Sequence, residues 1–332
     1  MRILAGLQLA GLAVAGLALA VAAFASSSAQ GVSSQLAPAY AALQSGEADR
    51  ALALINSLAQ ARGNAEAYNL RCRVEFTLEQ WDRAASDCEE AVKLDGKSSD
   101  NHMWLGRALG EKASRASFLN AFTLGKRVLA EFEEAVRLNP RNTEALADLG
   151  EFYYDAPKVV GGGMTKAEAV AAQLDSIDPV RAHELRGHIA EQRKDYGTAE
   201  RELKQALAVS PHPAFQWMTL ANFYRFRQRW TEMDAALRSG ENAAQRDKRA
   251  GVALYNGASV LMESNRDPAR AARMFEDYLA GSTKTEEAPA FVAHTRQARL
   301  QQQLGDSAAA RRERAAALTL AHDYRPAQEL KY

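Results

Sequence analysis

The chain has 332 residues, with 41 Lys and Arg against 41 Asp and Glu, so its formal net charge is zero, and 47% of it is apolar. That balance argues against a nucleic-acid binder, which ordinarily carries a basic excess, and the apolar share is ordinary for a soluble globular protein. A chain of this length would divide into two or three domains unless one stacked array runs through it.

Met1-Arg2 is a minimal positive start, and Ile3 to Ala25 is uncharged and almost wholly apolar. Ala23-Phe24-Ala25 offers a small-x-small cleavage pattern, with Ser27-Ser28-Ala29 as a second one. The expectation is a signal peptide over 1–29, a flexible segment over 30–34 and an exported, periplasmic body. The run is also long enough to span a bilayer, so an uncleaved inner-membrane anchor facing the periplasm is the alternative. No cysteine follows the run, which excludes lipoprotein acylation.

From about residue 32 to about residue 322 a hydrophobic pattern returns roughly every 34 residues. The first unit is degenerate: Leu36 to Gln44, a break at Gly46, then Glu47 to Gln60 with Ala51, Ile55 and Leu58 on one face. The second, Ala65 to Ser98, is the cleanest, with Tyr68 and Cys72 on its first helix and Ala84, Cys88, Ala91 and Leu94 on its second. The third has additional residues around Glu111 to Thr123, and Ala116 to Leu138 reads as one long helix. The fourth carries Leu146, Leu149, Gly150 and Tyr153, then a loop through Gly161-Gly162-Gly163. The fifth is marked by Gly187, Tyr196, Ala199 and Leu203, and the sixth by Trp217, Leu220, Ala221 and Tyr224. Tyr255, Ala271 and Phe275 mark the seventh, and Ala298, Gly305, Ala310 and Ala317 the eighth.

This spacing of large and small residues resembles the tetratricopeptide repeat (TPR). The third and fourth units further resemble those of exported bacterial TPR proteins of undefined role. The resemblance implies an all-α fold, a right-handed superhelical solenoid of about seven to eight TPR-like helical hairpins over 35–322, with a C-terminal tail over 323–332. First helices of such arrays line a concave groove. That rule selects Asn69, Arg73, Phe76, Met103, Arg107, Glu151, Tyr154, His188, Met218, Asn222, Arg225 and Asn256 as the candidate partner-binding face. In the repeat alignment Cys72 and Cys88 lie opposite each other; they either form a disulfide or simply fill small buried slots.

Chemistry is sparse. His183-Glu184 with His188 departs from the H-E-x-x-H zinc pattern by one residue, which turns the second histidine off the shared face. Gly161 to Lys166 lacks the order of a phosphate loop and reads as a partner-contacting or hinge loop. No catalytic residue, metal or cofactor is expected. The lysine set of a carboxylate clamp for chaperone tails is missing. Arg225, Arg227 and Arg229 with Tyr224, Phe226 and Trp230 form a basic aromatic cluster suited to an anionic partner. The function expected is a non-enzymatic scaffold or adaptor for protein partners in the bacterial envelope, with no nucleic acid and with membrane contact only through an uncleaved N-terminal segment. The alternatives are a binding module for an envelope glycan or lipid, and an accessory subunit of an envelope enzyme.

Overall fold

The computed structural model describes residues 35–58 and 63–331. The segments 1–29 and 30–34 lie outside them. Among the described residues the chain is all helix and connection, and the helices pair into eight hairpins. These are α1 (Ala37–Gln44) with α2 (Ala48–Ser57), α3 (Ala65–Thr77) with α4 (Trp81–Leu94), and α5 (Ser99–Ser114) with α6 (Phe118–Leu138). α7 (Thr143–Asp155) and α8 (Met164–Leu174) flank a 3-10 turn at Lys158–Val160, followed by α9 (Pro179–Gln192) with α10 (Tyr196–Val209). The array continues with α11 (Pro213–Phe226) and α12 (Trp230–Arg246), then α13 (Gly251–Glu263) and α14 (Pro268–Ala280). It ends in α15 (Ala290–Gln303), α16 (Ser307–Leu320) and the short α17 (Arg325–Gln328).

The helices start where polar caps satisfy free amides. Asn64, Ser98, Asn142, Asp178, Asp195 and Asp306 each accept from an amide in the first turn of the following helix. The turn inside each hairpin is equally regular. Gly46, Glu79, Lys194, Gln228, Asn265 and Gly305 all take positive φ, and each lies two residues beyond the end of its first helix. The amide after each of them bonds the carbonyl five residues back, as Gln80 does to Glu75 and Asp195 to Ala190, which is a Schellman turn. Six of the eight hairpins share it. The two that lack it are the third and fourth, the units with inserted residues.

In the third, the insertion lengthens both helices. α5 runs to Ser114 and α6 starts at Phe118, two residues later than expected, because Arg115 to Ser117 make the turn. In the fourth, Gly161 at φ 107° lets the chain double back, and a Cβ at Gly162 would stand 1.8 Å from the Ala156 carbonyl oxygen. Close helix approach needs small residues elsewhere too: a Cβ at Gly106 would fall 2.5 Å from the Phe132 ring. Cys72 and Cys88 are joined by a disulfide between α3 and α4, their Cα atoms 5.4 Å apart.

The array closes on itself. Leu36, Leu43, Ile55 and Leu70 from the first two hairpins share one core with Phe291, Ala317, Tyr324 and Ala327 from the end of the chain. Gly46 meets Ala290 so closely that a Cβ there would lie 2.3 Å from the Ala290 amide nitrogen. The His322 amide donates to Asp49 Oδ2 at 2.9 Å, and Tyr324 Oη donates to Glu79 Oε1 at 3.1 Å. The residues expected as a C-terminal tail therefore include a cap: Tyr324 is only 3% exposed and its ring lies 4.8 Å from that of Phe291. Burying an aromatic or aliphatic side chain of this size contributes about 1.5–3 kcal/mol, enough to hold the segment down.

Candidate functional site

Closure turns the expected groove into a lumen. Its rungs are equivalent residues of successive first helices, beginning with Arg73, Arg107, Glu151, His188 and Asn222. Arg73 is buried between rings, its guanidinium carbon 5.1 Å from the centroids of both Tyr40 and Trp104. Arg107 covers Trp104 as well, at 4.7 Å, and its Nε donates to Asp148 Oδ2 at 2.6 Å while Nη2 reaches Glu144 at 3.2 Å. His188 packs near the Tyr154 ring (6.0 Å between centroids), and its Nδ1 contacts Glu191 Oε2 at 2.9 Å. Arg227 reaches the other Glu191 oxygen at 2.8 Å.

Sequence reasoning misses the loop that closes this site, residues 281–289 between α14 and α15. Glu286 of that loop pairs with Arg73, Nε to Oε2 at 2.8 Å, and accepts from Gln44 Nε2 at 3.3 Å. Glu287 beside it lies in the field of Arg107 and Glu144. One loop thus clips the end of the array to its second and third hairpins. No repeat signal marks it, since its residues belong to a connection.

Carboxylates outnumber cations in the lumen. Asp100, Glu144, Asp148, Glu151, Glu184, Glu191, Glu286 and Glu287 (eight) lie among Arg73, Arg107, Arg181, His188, Arg227 and Arg296 (six). Glu151 is exposed to water, yet desolvation and then Asp148 push its carboxyl to about 7. Desolvation and then Glu286 push Glu287 to about 7 as well. For Glu144 desolvation acts upward, but Arg107 and Arg181 outweigh it and hold the group below its ordinary range. Burial opposes the charged form of His188, and Glu191, Glu184 and Glu151 overcome it, so its pKa is raised.

These shifts fix a pH dependence. Outside the lumen, desolvation and then Asp87 also push Glu75 to about 8. A carboxyl whose folded pKa is raised contributes stability below its unfolded value, and that contribution is lost as pH climbs through the folded value. Glu75, Glu151 and Glu287 place the loss between about pH 4.5 and about pH 8, and His188 acts in the same sense. The thermal midpoint, followed by circular dichroism, is expected to fall between about pH 5 and about pH 8.5. Glu151→Gln with Glu287→Gln should flatten that slope; a midpoint rising with pH would contradict the assignment.

Other expected groove residues sit differently. Met103 and Met218 are core side chains, 3% and 2% exposed, and offer almost no surface. Met218 fills the space left by Gly240 and Gly257, where a Cβ would lie within 3 Å of it. Asn69 is buried too, and Asn222, though a rung of the lumen, is largely covered, its Oδ1 accepting from Arg225 Nε at 2.9 Å. Phe76 stacks edge-on against Trp81 and Trp104, at 5.1 and 5.6 Å. Asn256 is one residue out of register. The turn at Asn265 makes Ala258 the small residue of α13 and turns Tyr255 and Ser259 inward, where Arg296 covers the Tyr255 ring at 5.0 Å and bonds Ser259.

The basic aromatic cluster is internally satisfied. Arg225 pairs with Glu263, Arg227 with Glu191, and Arg229 with Glu200 and Glu232, and each lies over a ring. Every histidine meets a carboxylate as well. His102–Glu131, His183–Glu202 and His294–Glu313 are the same clip from first helix to second in three hairpins. Among the described residues no group of three or more His, Cys, Asp or Glu side chains is placed to hold a metal ion. No described helix is long and apolar enough to cross a membrane.

Paired helices of 34-residue character, a small residue seven positions before each left-handed turn, and large residues between hairpins decide the repeat type. The chain is an all-α solenoid of helical hairpins with TPR-like spacing. No family model matches it, and no curated protein does. Solved structures similar to it include a thermophilic TPR protein of Thermus thermophilus, 19% identical, with 57% of this chain and 91% of that one covered at a TM-score of 0.45. MamA is 21% identical, with 49% and 88% covered at a TM-score of 0.38. YrrB, described as a TPR protein with an unusual peptide-binding site, is 22% identical, with 51% and 81% covered at a TM-score of 0.37.

Proposed function

We propose that this TPR solenoid is a non-catalytic protein-interaction scaffold of the bacterial cell envelope, and that its lumen takes a basic, extended segment of a partner. The observation that carries the reading is the excess of carboxylates along the lumen, where desolvation and neighbouring carboxylates push Glu151 and Glu287 to about 7 although Arg107 acts against both shifts. A Lys- or Arg-bearing segment would supply the missing cations and favour the ionised form of both groups. Export is supported by the N-terminal apolar run and by the Cys72–Cys88 disulfide, which persists in oxidising compartments. The glycan or lipid alternative relies on Arg225 and Arg229, and both are already occupied by carboxylates of the chain itself.

Titration calorimetry with a lysine-rich peptide and its glutamate-rich counterpart tests the proposal. Binding of the basic peptide alone is expected, weakening with salt and strengthening as pH climbs through about 7, where the two glutamates ionise. Glu151→Gln with Glu287→Gln should abolish the pH response. Equal binding of both peptides, or of neither, would reject the lumen as the recognition surface.

A further inference from the structure

Sequence alone confines membrane contact to the N-terminal segment, but the surface points elsewhere too. The three most exposed large apolar side chains among the described residues are Leu119 (76%), Val159 (67%) and Phe118 (64%). Phe118 and Leu119 begin α6, at the turn end of the lengthened third hairpin. The 3-10 turn bearing Val159 lies along the same helix, with Val160 against Gly125 and Gly161 against Leu129. Gly125 is about 10 Å along α6 from Phe118, at 1.5 Å per residue.

Charge follows the same corner. No carboxylate occurs from Lys112 to Ala130, nor from Ala156 to Ala167, in a chain whose charges otherwise cancel. Lys112, Arg115 and Arg127 find acids on neighbouring segments, namely Asp82, Glu111 and Glu89. Lys126, Lys158 and Lys166 have no carboxylate partner among the described residues; Lys126 lies over the Phe122 ring at 4.6 Å, and Lys166 donates to the Gly161 carbonyl.

We propose that this corner is a peripheral membrane-docking surface, in which Phe118 and Leu119 enter the headgroup boundary of an anionic bilayer and Lys126 and Lys158 meet lipid phosphates. A bilayer fits better than a protein for two reasons. The exposed apolar groups are only three side chains, whereas a stable protein interface needs about 800 Å² from each partner. The unpaired cations are lysines, which are depleted in protein interfaces but are the residues drawn to anionic leaflets.

The test uses the full chain with Cys72 and Cys88 bonded, Leu119→Cys labelled with an environment-sensitive fluorophore, and Leu304→Cys as a control on another hairpin. The chain is reconstituted in phosphatidylcholine vesicles with and without phosphatidylglycerol. Brighter, blue-shifted emission is expected at position 119 on the anionic vesicles only, and not at 304. Lys126→Gln and Lys158→Gln should each lower the ratio of docked to free chain by about fivefold, the equivalent of ~1 kcal/mol per lysine. Unchanged emission at 119 on anionic vesicles overturns the proposal. So does an equal response on neutral vesicles, which tethering by the N-terminal segment alone would give. A label that answers to an acidic protein and not to vesicles overturns it in favour of that partner.

Discussion

Replacing Arg73 by alanine is expected to destabilise the fold by about 3–5 kcal/mol, far more than the loss of a surface ion pair. The guanidinium pairs with Glu286 where both side chains are largely out of water, 14% and 8% exposed, between the Tyr40 and Trp104 rings. Without it the Glu286 carboxylate stays buried and unpaired, and the loop over 281–289 can regain water only by leaving the second hairpin. The array should then open at its seam. Arg73→Met combined with Glu286→Leu removes both charges and should recover most of the loss, because neither side is left to desolvate alone. Chemical denaturation of the two variants reads the difference. A double variant no more stable than Arg73→Ala would mean that the pair is incidental to closure.

The second large effect is expected at the disulfide. Cys72 and Cys88 are 16 residues apart, and a loop of that size confers about 3 kcal/mol by restricting the unfolded chain. Cys72→Ala with Cys88→Ala keeps the small side chains that the hairpin packing needs, so the loss should reflect the bond and not a cavity. Arg71 of α3 pairs with Asp87 of α4 beside it and should keep the hairpin formed. Faster amide exchange confined to α3 and α4 is therefore the expected signature in the double variant and in the reduced native chain. A native chain indifferent to reductant would show that the bond contributes nothing.

Much of this fold was legible because each hairpin solves the same local problem. Small residues such as Cys72, Gly106 and Gly187 sit where two helices must approach, and their spacing is readable without the structure. The same logic failed at α13, where Gly257 and Ala258 are both small and either could be the close-approach residue. Only the left-handed turn at Asn265 settles the register, and it displaces Asn256 by one. Burial of Met103 and Met218 was not legible either, since it depends on what neighbouring helices bring to them. Closure is the furthest from sequence. It follows from small rotations accumulated over eight hairpins and from Glu286, a residue in a connection with no periodicity to mark it. The acidic lumen was hidden for the same reason, because its carboxylates come from different repeats and balance out along the chain.

Closure of the solenoid into a ring is tested most directly by a distance across its seam. Spin labels at Arg50→Cys and Asp323→Cys flank the contact between Asp49 and the His322 amide, 2.9 Å in the closed array. Electron double resonance should give one short, narrow distance in the native chain and a longer, broader one in Arg73→Ala. A long, broad distribution in the native chain itself would mean that the array is an open superhelix, and the enclosed lumen would go with it.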